Sequence, residues 1–127
     1  MRRIGITILF IVSVLLGLTR PASAVEFCLN ISGTITVFRL EATRFGNFFS
    51  LVGRERAFAE RAVSGAGYIE PGGAAARLAL TEPTTTVTVF YNMQLIFATL
   101  TGPFTATGTD GVITGGTIAV VPCLAED

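Results

Sequence analysis

Chemistry in this sequence would have to come from nine carboxylates: Glu26, Glu41, Glu55, Glu60, Glu70, Glu82, Asp110, Glu126 and Asp127. A glycosidase needs two of them across a cleft, and Glu70 and Glu82 flank the turn Pro71-Gly72-Gly73 closely enough to meet on one hairpin. The same placement describes two solvated strand ends beside a turn, which is the expectation preferred for them. Asp110-Gly111 supplies one piece of a calcium loop without its other acidic ligands. Gly65-Ala66-Gly67 lacks the third glycine and the following helix of a dinucleotide fingerprint. Arg54, Arg56 and Arg61 could receive an anion, but Glu55 and Glu60 are interleaved with them, which describes a solvated charged loop. The chain has no His, and its nine basic residues are all Arg. Catalytic triads, Cys-His pairs, imidazole zinc sites, Schiff bases and phosphate-loop lysines are therefore excluded. The expectation is a protein that is not an enzyme and that carries no metal and no cofactor.

An export signal opens the chain. It consists of the basic start Met1-Arg2-Arg3, the apolar run Ile4 to Leu18, and the small-x-small site Ala22-Ser23-Ala24. The run is shorter than the roughly 20 residues that span a bilayer, and Arg20-Pro21 closes it. Residues 1–24 are read as a signal peptide for general secretion and 25–127 as a single β-barrel domain, periplasmic or secreted, with no stable membrane insertion after cleavage. Cleavage removes three Arg and no acid, leaving 103 residues with a net charge of −3. Six scattered Arg on an acidic chain give no electrostatic footprint for nucleic acid. The two cysteines, Cys28 and Cys123, stand near the two ends of this mature segment. In an exported protein two lone cysteines form one disulfide, here closing nearly the whole domain.

The elements that must position these residues are strands. The 103 residues hold fifteen Thr and twelve Gly, with β-branched runs between turn signals and no sustained helical period. Phe27 to Val37 alternates as a first strand, with Phe27, Leu29, Ile31, Ile35 and Val37 on one face and Cys28 on the polar face. The apolar phase slips from Phe38, which suggests a bulge or a bend into the next strand. Turns are expected at Gly46-Asn47, Pro71-Gly72-Gly73, Glu82-Pro83, Gly102-Pro103 and Asp110-Gly111. Between them lie Phe48 to Gly53, Ala62 to Glu70, Ala76-x-Leu78-x-Leu80, and Thr84 to Leu95 with Val87, Val89, Tyr91, Met93 and Leu95 on one face. The last strand ends at Cys123, and if that residue faces outward with Cys28, then Thr117, Ala119 and Val121 point out and Ile118 and Val120 point in. Arg54 to Ala62 suits two helical turns, with Arg56 and Glu60 paired, as well as a hairpin tip with Glu and Arg paired across strands.

Seven or eight strands at this spacing describe a small all-β protein, either a β-sandwich or an up-and-down antiparallel β-barrel of about eight strands. The end-to-end cysteine pair favours the barrel, because an even-stranded meander brings its first and last strands together when it closes. At Phe49-Ser50-Leu51-Val52-Gly53, Val63-Ser64-Gly65-x-Gly67-Tyr68, Thr99-Leu100-Thr101-Gly102 and Val120-Val121-Pro122-Cys123 the chain resembles small exported bacterial proteins, and its plan is similar to that of calycin barrels such as lipocalins and avidins. The lipocalin Gly-x-Trp signature is absent because the chain has no Trp, and avidin-like biotin pockets also rely on Trp. The resemblance implies an architecture and no particular ligand.

An eight-stranded barrel lies at the boundary between a filled interior and one holding a small molecule. Gly65, Gly67 and Ala76 at inner positions suggest room, and Phe45, Phe48, Phe49 and Phe58 crowd one region. The expected function is binding of a small apolar ligand, with Phe49, Tyr91 and Met93 lining the interior, or service as a cell-envelope interaction module with an envelope protein as partner. The alternative is a structural or adhesive subunit that associates through a sheet edge.

Overall fold

The computed structural model describes residues 24–32, 36–56 and 61–124. The signal segment up to residue 23 and the helix-or-hairpin tip at 57–60, with Phe58 and Glu60, lie outside the described residues. The strands in chain order are β1 Ala24–Ile31, β2 Val37–Phe45, β3 Phe48–Glu55, β4 Arg61–Ile69, β5 Ala75–Pro83, β6 Thr88–Ile96, β7 Thr101–Gly108 and β8 Ile113–Val121. Each pairs antiparallel with the next, and β8 pairs back onto β1, so the sheet is a closed up-and-down barrel. The sandwich alternative is thereby set aside.

Period-two alternation decides which side chains fill the barrel. Phe27 and Leu29 of β1, Phe38 and Leu40 of β2, Leu51 of β3, Leu78 and Leu80 of β5, Met93 and Leu95 of β6 and Ile118 of β8 form one buried cluster. The outer wall carries both exposed hydrophobic side chains, among them Phe45, Phe48, Tyr68 and Phe90, and charged pairs. On it Arg39 pairs with Glu26 at 2.6 Å, an interaction that holds the Glu26 carboxyl below its usual range, and Arg77 pairs with Glu70 at 2.9 Å.

The first strand is shorter than the alternation suggests, because the chain turns at Ser32 and returns as β2, with Asn30 opposite Val37 and the Ile31 amide donating to the Thr36 carbonyl at 3.1 Å. Inner positions are odd-numbered up to Ile31 and even-numbered from Thr36, so the phase slip at Phe38 marks a reversal of the chain and not a bulge. Val37 therefore leaves the inner face, and Thr36 enters it. Gly102-Pro103 is likewise no turn. β7 runs through it, and the reversal falls at Phe97 to Leu100. The β6·β7 register passes from Met93↔Phe104 directly to Ile96↔Thr101, and proline, which has no N–H to donate, occupies that interruption. β6 begins at Thr88, after a turn in which the Thr84 hydroxyl donates to the Val87 carbonyl at 2.6 Å. At 54–62 the described ends are strand, with Glu55 opposite Arg61, the cross-strand pairing of the hairpin alternative.

The inner glycines do not leave empty space. A Cβ on Gly65 would lie 1.8 Å from the Ala79 carbonyl oxygen, so its absence lets β4 and β5 approach closely. A Cβ on Gly67 would lie 2.6 Å from the Phe49 ring, which occupies the place a side chain would have taken. Ala76 is fully buried in the core.

The seam between β1 and β8 has four registered pairs, Cys28↔Val121 to Ile31↔Ile118, and just beyond it Cys28 and Cys123 form a disulfide with Cα atoms 5.3 Å apart. Ile118 and Val120 point inward, as the parity of the two cysteines requires. Among the described residues no helix is long and apolar enough to cross a membrane.

This closure can be tested by its stability. Replacing both cysteines (Cys28→Ala with Cys123→Ala) frees a loop of 95-residue separation, and the unfolding free energy in denaturant should fall by about 4 to 5 kcal/mol on the chain-entropy model; an unchanged midpoint would show that the seam holds without the bond. Gly65→Ala should cost about 2 kcal/mol or more, since backbone has to move to admit one methyl group. A variant as stable as the parent would contradict the close β4–β5 approach.

Candidate functional site

The two ends of the barrel differ. At the end bounded by the turns at 46–47, 70–74 and 97–100, the inward side chain of Arg44 is 9% exposed and donates to the Gly46 carbonyl and to Asn47 Oδ1, beside a polar hollow of about 460 Å³ that Asn47, Glu70 and Gly72 also border. Burial lowers the pKa of Arg44 from its ordinary value. Glu70 also lies here, on the outer wall, where it receives Arg77 and the Gln94 amide. The opposite end carries the turns at 84–87 and 109–112 and the described edges of the β1–β2 and β3–β4 connections, Ser32 with Thr36 and Arg56 with Arg61, and opens into a cavity of about 400 Å³.

The wall of this cavity is mostly apolar. Val87, Val89 and Tyr91 form one side, Phe104 and Ala106 the next, and Val112 and Ile31 complete it, while Ser32, Thr36, Asp110 and Thr114 supply polar groups. Its volume falls at the small end of the ligand-site range, about 300 to 1,000 Å³. The Asp110 carboxylate accepts the Val112 amide at 3.1 Å, which shapes the β7–β8 turn. Tyr91 meets Phe38 edge-on at 5.0 Å between ring centroids and is tilted against Phe104 at 6.4 Å. A second hollow of about 350 Å³ lies against the outer wall between Phe48, Tyr68, Arg77 and Asn92.

Of the three residues expected to line an interior site, Tyr91 borders the open-end cavity. Phe49, 2% exposed, is packed against Gly67, and Met93, 1% exposed, belongs to the core. The three are not brought together around one space.

Behind Tyr91 lies a group of charges that the sequence pattern did not signal. Glu82 is 2% exposed, so it is not the solvated strand end expected, and its neighbour is Glu55, 4% exposed, in place of Glu70. The two inward carboxyls come from β3 and β5, with Arg61 on the intervening β4 opposite Glu55. The Tyr91 hydroxyl donates to Glu82 Oε1 at 3.4 Å, and Oε2 of each glutamate is buried without a partner. Burial, and then the hydrogen bond and charge of Glu55, push the Glu82 pKa up to about 8, against the opposing influence of Arg61 and Tyr91. Glu82 is therefore mainly protonated at neutral pH. Burial and the two carboxyls also raise the pKa of Tyr91, whose hydroxyl stays protonated.

Parity could have located this pair. Glu55 continues the inner series Phe49, Leu51, Gly53, and Glu82 continues Ala76, Leu78, Leu80. The two carboxyls are close enough for Glu55 to raise the Glu82 pKa, and neither borders the cavity. The arrangement can store a proton and set the potential behind Tyr91.

Comparison with known proteins finds no match among family models, curated proteins or solved structures. The eight-stranded closed antiparallel barrel is compatible with the calycin plan.

The sign of the pH dependence is set by Glu82. Its pKa is higher in the folded barrel than in the unfolded chain, so the folded state holds a proton that the unfolded state loses above about pH 4.5. Stability should be greatest below that value and decline up to about pH 8, by up to about 1 kcal/mol per pH unit. Glu82→Gln, which mimics the neutral acid, should flatten the melting-temperature profile between pH 5 and 9. A parent profile already flat would remove the protonated Glu82.

Proposed function

We propose that this chain is an exported, non-enzymatic barrel that binds a small apolar molecule in the cavity at its open end. The observation that carries the reading is the cavity itself: an apolar wall inside a barrel otherwise packed by its own side chains, with polar groups in the turns around it. Export rests on the leader pattern of residues 1–24 and on the cysteine pair. The non-enzymatic reading rests on the absence of His and Lys and on a carboxyl pair withdrawn from the cavity. On the outer wall Glu26, Arg39, Glu41, Arg54 and Arg77 are interspersed with exposed Phe45, Phe48, Tyr68 and Phe90, and charges at this density suit water better than lipid.

Association through a sheet edge, the structural-subunit reading, has one feature in its favour. Ile113 to Gly116 of β8 pair with β7 and, among the described residues, have no ladder partner on the β1 side, and all four are exposed.

Native mass spectrometry of the protein purified from its own host separates the two. A carrier should show extra mass that disappears on denaturation, and Ala106→Phe, which fills the cavity wall, should lower its occupancy at least tenfold. Full occupancy in a folded Ala106→Phe variant would remove the cavity from the proposal, and a discrete oligomer without bound mass would favour the edge.

A further inference from the structure

We infer that the cavity selects an apolar cation, a small ammonium carrying a hydrocarbon group, over a neutral molecule or a fatty acid. The inference rests on the carrier reading and names the class of its ligand.

The first observation is the sign of the charge around the cavity. Among the described residues the one charged group in its wall is an acid, Asp110; the turns at 84–87 and 109–112 contain no Arg, and Arg56 and Arg61, at the β3–β4 connection of the same end, do not border the cavity. A carboxylate or phosphate seated there would be desolvated without a cationic partner, which is strongly unfavourable. The second observation is aromatic. The rings of Tyr91 and Phe104 both border the cavity, 6.4 Å apart and inclined at 42°, and aromatic rings attract a desolvated cation through their quadrupole.

The third observation is the pair of acids on the far side of Tyr91. Its hydroxyl is directed to Glu82 and so returns electron density toward the ring. The groups acting on Glu82 are Glu55 from β3, which raises its pKa, and Arg61 from β4 and Tyr91 from β6, which lower it. A cation resting on Tyr91 stabilises the ionised form of Glu82, so binding releases a proton from it. By linkage, cation affinity rises as the pH is raised through the titration of Glu82. A neutral ligand of the same shape has no such dependence.

The test uses three probes on the full mature protein: benzyltrimethylammonium, whose charge does not titrate; its neutral carbon isostere neopentylbenzene; and phenylpropionate. Calorimetric titration at pH 8 should show the ammonium binding at least tenfold more tightly than the isostere, with the carboxylate weakest. Ammonium affinity should increase severalfold between pH 6 and 9, and Glu82→Gln should abolish that increase. Tyr91→Leu should erase the preference for the ammonium, and should it fail to fold, Phe104→Leu reads the same preference from the second ring. Equal or tighter binding of the isostere or the carboxylate would overturn the cation inference and leave the carrier reading in place. If none of the three binds, the cavity is not a ligand site and both readings fall together.

Discussion

Among the described residues every ladder but one joins strands that follow each other in the chain, and the exception, β8 onto β1, is the contact on which the others depend. An eight-stranded meander left open would present two edges and an apolar face to water. Closure turns that face inward. The seam has four registered pairs, and the covalent bond beside it removes much of the entropic cost of bringing the chain ends together. The dry interior, the inward turn of Glu55 and Glu82, and the cavity beyond Tyr91 all presuppose this closed ring.

Inside the ring, packing and charge oppose each other. The apolar series of β3 and β5 each end in a glutamate at the inner parity, and alternation carries those carboxyls out of water together with the leucines before them. Two buried carboxylates side by side repel, and the arrangement is relieved by a proton on Glu82, the Tyr91 hydroxyl and the guanidinium of Arg61. Some stability at neutral pH is exchanged for a polarised floor behind an aromatic wall. Arg44 meets the same difficulty at the other end with a different solution, donating to the carbonyl and side chain of its own turn.

Much of the architecture was legible because parity and turn chemistry agree. Gly46-Asn47, Pro71-Gly72-Gly73 and Asp110-Gly111 do separate strands, and the outward parity of Cys28 correctly placed Ile118 and Val120 inside. The bend from β1 into β2 was signalled by the phase slip at Phe38, but its position was misjudged because Ile35 and Val37 prolong the apolar alternation. Pro103 misled because proline in a strand normally marks an end, whereas here it falls where the β6·β7 ladder is interrupted. Tyr91 was found from its face, but the carboxyls it contacts were not. Glu55 and Glu82 sit on strands that are not neighbours and meet only across β4, a proximity that exists in the folded ring and in no local pattern.

The disulfide has a topological consequence as well as an energetic one. With Cys28 and Cys123 only 5.3 Å apart at their Cα atoms, β1 is tied to the chain just beyond β8, and the ring of strands has no intrinsic first member. The barrel is a cyclic object cut at one seam. Any of its surface turns could serve as the cut, because joining the present ends and opening another hairpin preserves every ladder. The order β1 to β8 is a property of the polypeptide, and the fold itself is indifferent to it.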